Sequence, residues 1–211
     1  MPRIVLITLL LASTFCQAAH AEGETNVRLN WVKSSETDLY TVVIGDFDGS
    51  PESNYAMAGS WGRQYSDTLF GAPIAMTGNV GVQWFNERGY QPDGWGANAY
   101  IKALYDWRLP WIRKHLRLGL GEGLSYVTRI PSSEQRDFAK KGVESVKLMN
   151  YLEWTMDVPL RQFAPLDKLL RNRVEEVYVG FIVWHRSTVF GLFGDSQGGI
   201  NFMGFGFEVQ Y

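Results

Sequence analysis

The stretch Asn201-Phe-Met-Gly-Phe-Gly-Phe-Glu-Val-Gln-Tyr211 decides the fold. Met203, Phe205, Phe207, Val209 and Tyr211 alternate with Gly204, Gly206, Glu208 and Gln210, so an extended chain here has one greasy face and one small or polar face. This is the pattern of a strand whose outside meets lipid and whose inside meets a polar lumen. A strand of a soluble sandwich with one buried face also fits these residues taken alone.

The alternation recurs upstream, broken by turn-rich segments. Ala97, Ala99, Ile101, Ala103, Tyr105 and Trp107 oppose Asn98, Tyr100, Lys102, Leu104 and Asp106, and Leu116, Leu118 and Leu120 oppose His115, Arg117 and Gly119. Likewise Leu152, Trp154, Met156 and Val158 oppose Tyr151, Glu153, Thr155 and Asp157, and Ile74, Met76, Val80, Val82 and Trp84 oppose Ala75, Thr77, Asn79 and Gln83. Lys102, Asp106, Arg117, Glu153, Asp157 and Glu208 therefore share one interior, where opposite charges can pair; a sandwich core could not accept them. The expected fold is an all-β, eight-stranded antiparallel transmembrane barrel. The last strand, ending on an aromatic residue, resembles the terminal strand by which bacterial outer-membrane barrels are recognised by their assembly machinery, which implies that machinery as a partner.

Composition agrees with this reading. The 211 residues are 45% hydrophobic and 14% aromatic, with 22 glycines, which suits short strands and tight turns. A net charge of -2 without a Lys/Arg cluster excludes a nucleic-acid partner. Residues 1–21 read as a cleaved signal peptide: Arg3, the apolar run Ile4 to Ala12, then Ala19-His20-Ala21 as the small-x-small site. A lipoprotein anchor at Cys16 is the rival, opposed by bulky Phe15. Cys16 is the single cysteine, so the mature chain has no disulfide framework. Nothing in the pattern calls for a cofactor or a metal.

The expected strands are 38–46, 54–63, 72–85, 95–107, 114–127, 146–158, 174–187 and 200–211, with residues 22–37 a periplasmic leader or an extra strand. Both ends then lie in the periplasm of a Gram-negative cell. The segments 47–53, 86–94, 129–144 and 188–199 become outer loops. The long inner connection 161–174 is expected to hold a helical turn in Ala164 to Arg171. On strand seven Val177, Val179, Phe181 and Val183 face lipid, opposed by Tyr178, Gly180, Ile182, Trp184 and Arg186. Val179→Arg should therefore impair assembly, and Gly180→Ser on the lumen side should be milder. Trp84, Trp107 and Trp154 are expected in the interfacial belts.

The greasy row of strand seven runs into His185 and Ser187, which share a face, close enough for the imidazole to take the hydroxyl proton. Topology puts the pair at the outer end, beside lipopolysaccharide acyl esters. Here the chain resembles the outer-membrane lipid A 3-O-deacylases, small eight-stranded barrels with a His-x-Ser motif on the penultimate strand. The resemblance covers the signal, the barrel plan and especially Tyr178 to Tyr211, with His185-Arg-Ser187, Gly198-Gly199 and Asn201. It implies Ser187 as nucleophile and His185 as general base. The family places an acid just before that asparagine, where this chain has Ile200, and Asn-Ala-Gly after its serine, where this chain has Thr188-Val189-Phe190. Asp195 is the nearest substitute acid. Glu122 is a second, if a bulge among Gly119, Gly121 and Gly123 turns it inward. The functions in play are a lipid A esterase, a catalytically silent barrel with a structural, adhesion or partner-binding role, and a narrow solute pathway, which a crowded interior disfavours.

Overall fold

A computed structural model describes residues 23–37, 41, 48–110, 114–188 and 199–211. Eight antiparallel strands close on themselves in chain order: β1 (Thr25–Ser35), β2 (Tyr55–Ser66), β3 (Ala75–Asn86), β4 (Gly94–Leu109), β5 (Lys114–Val127), β6 (Leu148–Pro159), β7 (Glu176–Ser187) and β8 (Gly199–Gln210). β1 pairs with both β2 and β8, so the sheet has no edge.

The first strand differs from expectation. It is Thr25–Ser35, inside the segment assigned to a leader, whereas most of 38–46 lies outside the described residues. The physical reason is parity: Asn26, Arg28, Asn30 and Val32 are buried inside while Val27, Leu29 and Trp31 are exposed outside, the same alternation as β8, with which the strand pairs. Ser132–Lys140 (α1), in the connection after β5, goes beyond the sequence expectation and caps the outer mouth through buried Ser133, Glu134 and Phe138. Ala164–Leu170 (α2) forms the helix expected in the long inner connection, with Pro165 in its first turn.

The lumen is filled in two layers. Towards the outer end Val32, Phe85, Tyr100, Tyr151, Trp184 and Phe202 form an aromatic core. Towards the inner end Arg28 and Arg117 each bridge Asp157 and Glu208, and Lys102 pairs with Glu153 at 2.7 Å. Asp106, expected in this network, sits instead at the inner mouth in a cleft with His115, Arg161, Asp167, Glu176 and Tyr178. Glycines on the lumen face make room for side chains that cross the barrel. A Cβ at Gly123 would meet the Ala99 carbonyl oxygen at 2.1 Å, and one at Gly121 would touch the Tyr100 ring at 3.0 Å. The ladders of β5 with β4 and β6 are unbroken there, so the bulge expected among these glycines is absent and Glu122 points outward between Ile101 and Leu152.

Trp84 meets Tyr55 edge to face at 5.9 Å near the outer end, and Trp107 is exposed near the inner end, as belts require. Trp154 does not belong to a belt. It stands mid-strand in an outer ladder of rings, Trp154, Phe181 and Phe205, spaced 6.2 and 6.3 Å.

The two faces of β7 also correct the tolerance expected of Gly180. Val179 is exposed on the outer face, so Val179→Arg is expected to destabilise the folded barrel by about 2–4 kcal/mol in a bilayer. Gly180→Ser should be as damaging, because its Cβ would lie 2.2 Å from the Met156 carbonyl oxygen and 2.4 Å from Asp157 Oδ1. Urea midpoints of refolding into vesicles measure both; a wild-type midpoint for Val179→Arg would mean that this face is not lipid-exposed.

Candidate functional site on the outer wall

At the outer end of β7, successive pairings set four polar side chains on the outer face of the sheet, where Asn150 and Asn201 are buried and His185 and Ser187 half-buried. His185 lies opposite Asn201 of β8, and Ser187 lies between Gly199 of β8 and Asn150 of β6. Paired residues of an antiparallel sheet share a face, so these positions form one patch. His185 Nδ1 and Asn201 Oδ1 are 2.8 Å apart. Asn201 Nδ2 donates to the Thr37 carbonyl oxygen at 2.6 Å, which leaves Oδ1 as the end of the amide that faces the ring. An amide oxygen only accepts, so Nδ1 carries the proton and Nε2 is the basic nitrogen.

The ring leans over Gly199, where a Cβ would meet His185 Cε1 at 2.5 Å and Nε2 at 2.8 Å. Because Gly199 is the residue paired with Ser187, the glycine leaves the space that brings Nε2 beside the serine. Facing Cβ positions are about 4.5–5.5 Å apart, so the serine and the ring are neighbours on one face of the sheet. Among the described residues no hydrogen bond joins the two. Catalytic hydrogen bonds often close only when substrate is bound.

The expected acids fall elsewhere. Ile200 is 3% exposed and faces the lumen core, opposite Arg186, so an acid at that position would point away from His185. Asp195 lies outside the described residues. Glu122 shares the outer face with His185 but stands two strands away, with Leu152 between them. Among the described residues the group against His185 Nδ1 is the Asn201 amide. Sequence reading places Asn201 only at the start of a strand; its pairing with His185 depends on register, which the sequence does not display. Among the described residues no group of three His, Cys, Asp or Glu side chains is placed to hold a metal.

The cap beside the site is built from charge. Arg136 of α1 pairs with Glu36 and Glu52, and Lys140 reaches Glu36 at 3.2 Å, tying the helix to the first outer connection. Glu87 accepts from the Ser132 backbone N–H at 2.9 Å, favourable at a helix N-terminus. Glu134, fully buried over Arg186 with a closest approach of 3.6 Å, has its carboxyl pushed up to about 7, chiefly by burial, with the Arg186 charge opposing and Glu87 and Asp137 adding to the rise. A folded-state pKa raised from 4.5 stabilises the docked helix fully below pH 4.5, and that contribution is lost as pH rises through 7, by about 3 kcal/mol. Hydrogen exchange of 132–140 should thus accelerate between pH 5 and 8 after correction for intrinsic rates, and Glu134→Gln should flatten the profile. The same acceleration in Glu134→Gln would assign it to another group.

A closed sheet with a greasy exterior and a sealed, ion-paired interior defines a small outer-membrane-type β-barrel, and its candidate site lies on the outside wall. No family model matches the chain, and no curated protein matches it either. Among solved structures the chain is similar to Ail, the attachment invasion locus protein of Yersinia pestis, in complex with the heparin analogue sucrose octasulfate. The identity is 11% and the TM-score 0.35, over 90% of this chain and 100% of that one. A similarity of that size bears on neither the site nor a ligand.

Proposed function

We propose that the chain is a barrel of the Gram-negative outer membrane, inserted by the barrel assembly machinery through β8, whose working surface is the outer-leaflet wall rather than the lumen. Its Ser187, His185 and Asn201 hydrolyse an acyl ester of lipid A. The observation that carries this reading is the half-buried imidazole on the outer face of β7, held by Asn201 at Nδ1 and leaning over Gly199, the residue paired with Ser187.

In this reading His185 Nε2 takes the Ser187 proton as Oγ attacks the ester carbonyl carbon. The tetrahedral intermediate collapses, the C–O bond to the lipid breaks, and Nε2–H protonates the leaving alkoxide. Water then gives a proton to Nε2 and adds its hydroxide to the acyl-serine; Oγ leaves with the proton from Nε2, releasing a fatty acid. Asn201 keeps Nδ1 protonated throughout and supports the imidazolium less strongly than a carboxylate would.

A second reading is a catalytically silent barrel that serves adhesion, envelope structure or partner binding through its cap. It is favoured by an amide, and among the described residues no carboxylate, at His185 Nδ1, and by the strapped outer helix, whose Arg136 and Lys140 tie it to the first loop. A solute pathway is disfavoured by the filled lumen. Mass spectrometry of lipid A from cells with and without the protein separates the readings. Loss of one acyl chain is expected with it; unchanged lipid A in cells where the protein shows the heat-dependent gel shift of a folded barrel would leave the silent barrel.

A further inference from the structure

Glu122 stands outward and exposed in an apolar row, between Leu120 and Leu124 and across from Ile101 and Leu152. A carboxylate there is unfavourable in contact with lipid tails unless donors satisfy it. The Asn150 amide, diagonally across on β6, is placed to supply one. A carboxylate has about four acceptor positions, so most of its capacity is open to the outside. Asn150, buried to 9% exposure, faces Ser187 directly across β6 and β7. The amide thus stands between the carboxylate and the hydroxyl. Glu122, Asn150, Ser187, His185 and Asn201 form one polar line across four strands of an otherwise greasy wall.

We infer that Glu122 and Asn150 are the recognition half of this site, an acceptor notch for a hydroxyl or amide N–H carried by the lipid whose ester lies on Ser187. The inference rests on the esterase reading for the position of that ester. Two strand spacings, about 10 Å, separate notch and histidine, so donor and ester belong to one lipid molecule. A diacylglycerophospholipid has ester carbonyls but no donor among its acyl linkages. An acylated amino sugar with hydroxylated chains has both, and Glu122 selects for it. Asn150, paired with Ser187 and diagonal to Glu122, stands between serine and carboxylate and positions the latter.

The test separates retention from chemistry. Ser187→Ala protein is reconstituted in vesicles of diacyl phosphatidylglycerol containing lipid A, re-extracted in mild detergent, and its retained lipid measured by mass spectrometry. Lipid A is expected to be enriched over the vesicle composition. Glu122→Leu on the same background, an apolar change that suits a lipid-facing row, is expected to cut the enrichment about tenfold, the scale of a lost hydrogen bond to a charged group. Glu122→Gln, which keeps an acceptor, should restore part of it, and retained phosphatidylglycerol should not change. Enrichment that Glu122→Leu leaves unaltered, or that is missing both with and without this substitution, overturns the inference. Acyl release by the wild-type protein is read separately: enrichment that depends on Glu122 without acyl release would overturn the esterase and leave a lipid-recognition site. Acyl release that is indifferent to Glu122 and equal on both lipids would leave the esterase and overturn the notch.

Discussion

Ser187→Ala and His185→Ala are each expected to lower acyl release from lipid A by about a thousandfold or more, with the folded barrel intact. The reason is geometric: both side chains sit at the outer end of β7 on the lipid side, and neither contributes to the lumen packing or the ion-pair network. The two losses should not add, because a nucleophile without its base and a base without its nucleophile are equally idle. Asn201 is a positioning residue, and its test needs a readout besides rate. Asn201→Leu should cost about a hundredfold by freeing the imidazole to take the wrong tautomer, and it should also widen the histidine's pH profile. Asn201→Asp puts a carboxylate against Nδ1, stabilises the imidazolium, and should shift the acidic limb of the rate profile upward. Ile200→Glu, the substitution that the family resemblance suggests, should not raise activity, because residue 200 faces the lumen. The assay is acyl release in outer-membrane vesicles; activity that survives Ser187→Ala ends the serine mechanism.

Which residues face which way is legible in the sequence, and which residues meet is not. Parity follows from a period of two, so the lumen charges Lys102, Arg117, Glu153, Asp157 and Glu208 and the outer-face positions of His185 and Ser187 are all readable from alternation. Register is set by which strands close the barrel. The resemblance therefore places the missing acid at Ile200, one residue and one face away from the position that touches His185. The expectation for Glu122 fails for a related reason: three glycines on the lumen face look like a bulge, yet they are the hollow into which Tyr100 and Lys102 pack. The first strand is obscured by its composition. Asn26, Arg28 and Asn30 give it a polar cast, although Val27, Leu29 and Trp31 carry the same alternation as β8, while the β-branched run at 41–44 looks the stronger strand.

That first strand brings in the residue on which the largest stability effect turns. Arg28 is 1% exposed and grips Asp157 with two hydrogen bonds of 3.0 Å, while reaching Glu208 at 3.2 Å; Arg117 meets the same two carboxylates at 3.3 and 2.7 Å. Two cations thus face two carboxylates in a lumen closed to water above by the aromatic layer. Asp157→Leu leaves both guanidinium groups to share Glu208 alone, and breaking a buried pair in this way is expected to destabilise by about 3–5 kcal/mol. The loss should appear as a lower urea midpoint for the heat-modifiable band in detergent or vesicles. Adding Arg28→Met should recover much of it, because one cation and one carboxylate then remain paired, and replacing a buried ion pair by apolar groups of similar size is close to neutral. The sign of that recovery is what discriminates. If Arg28→Met deepened the loss, the arginine would be stabilising the barrel through its packing and its bond to Asn30 rather than by balancing charge. Recovery would show that charge balance, not arginine packing, is what the network contributes to the stability of the lumen.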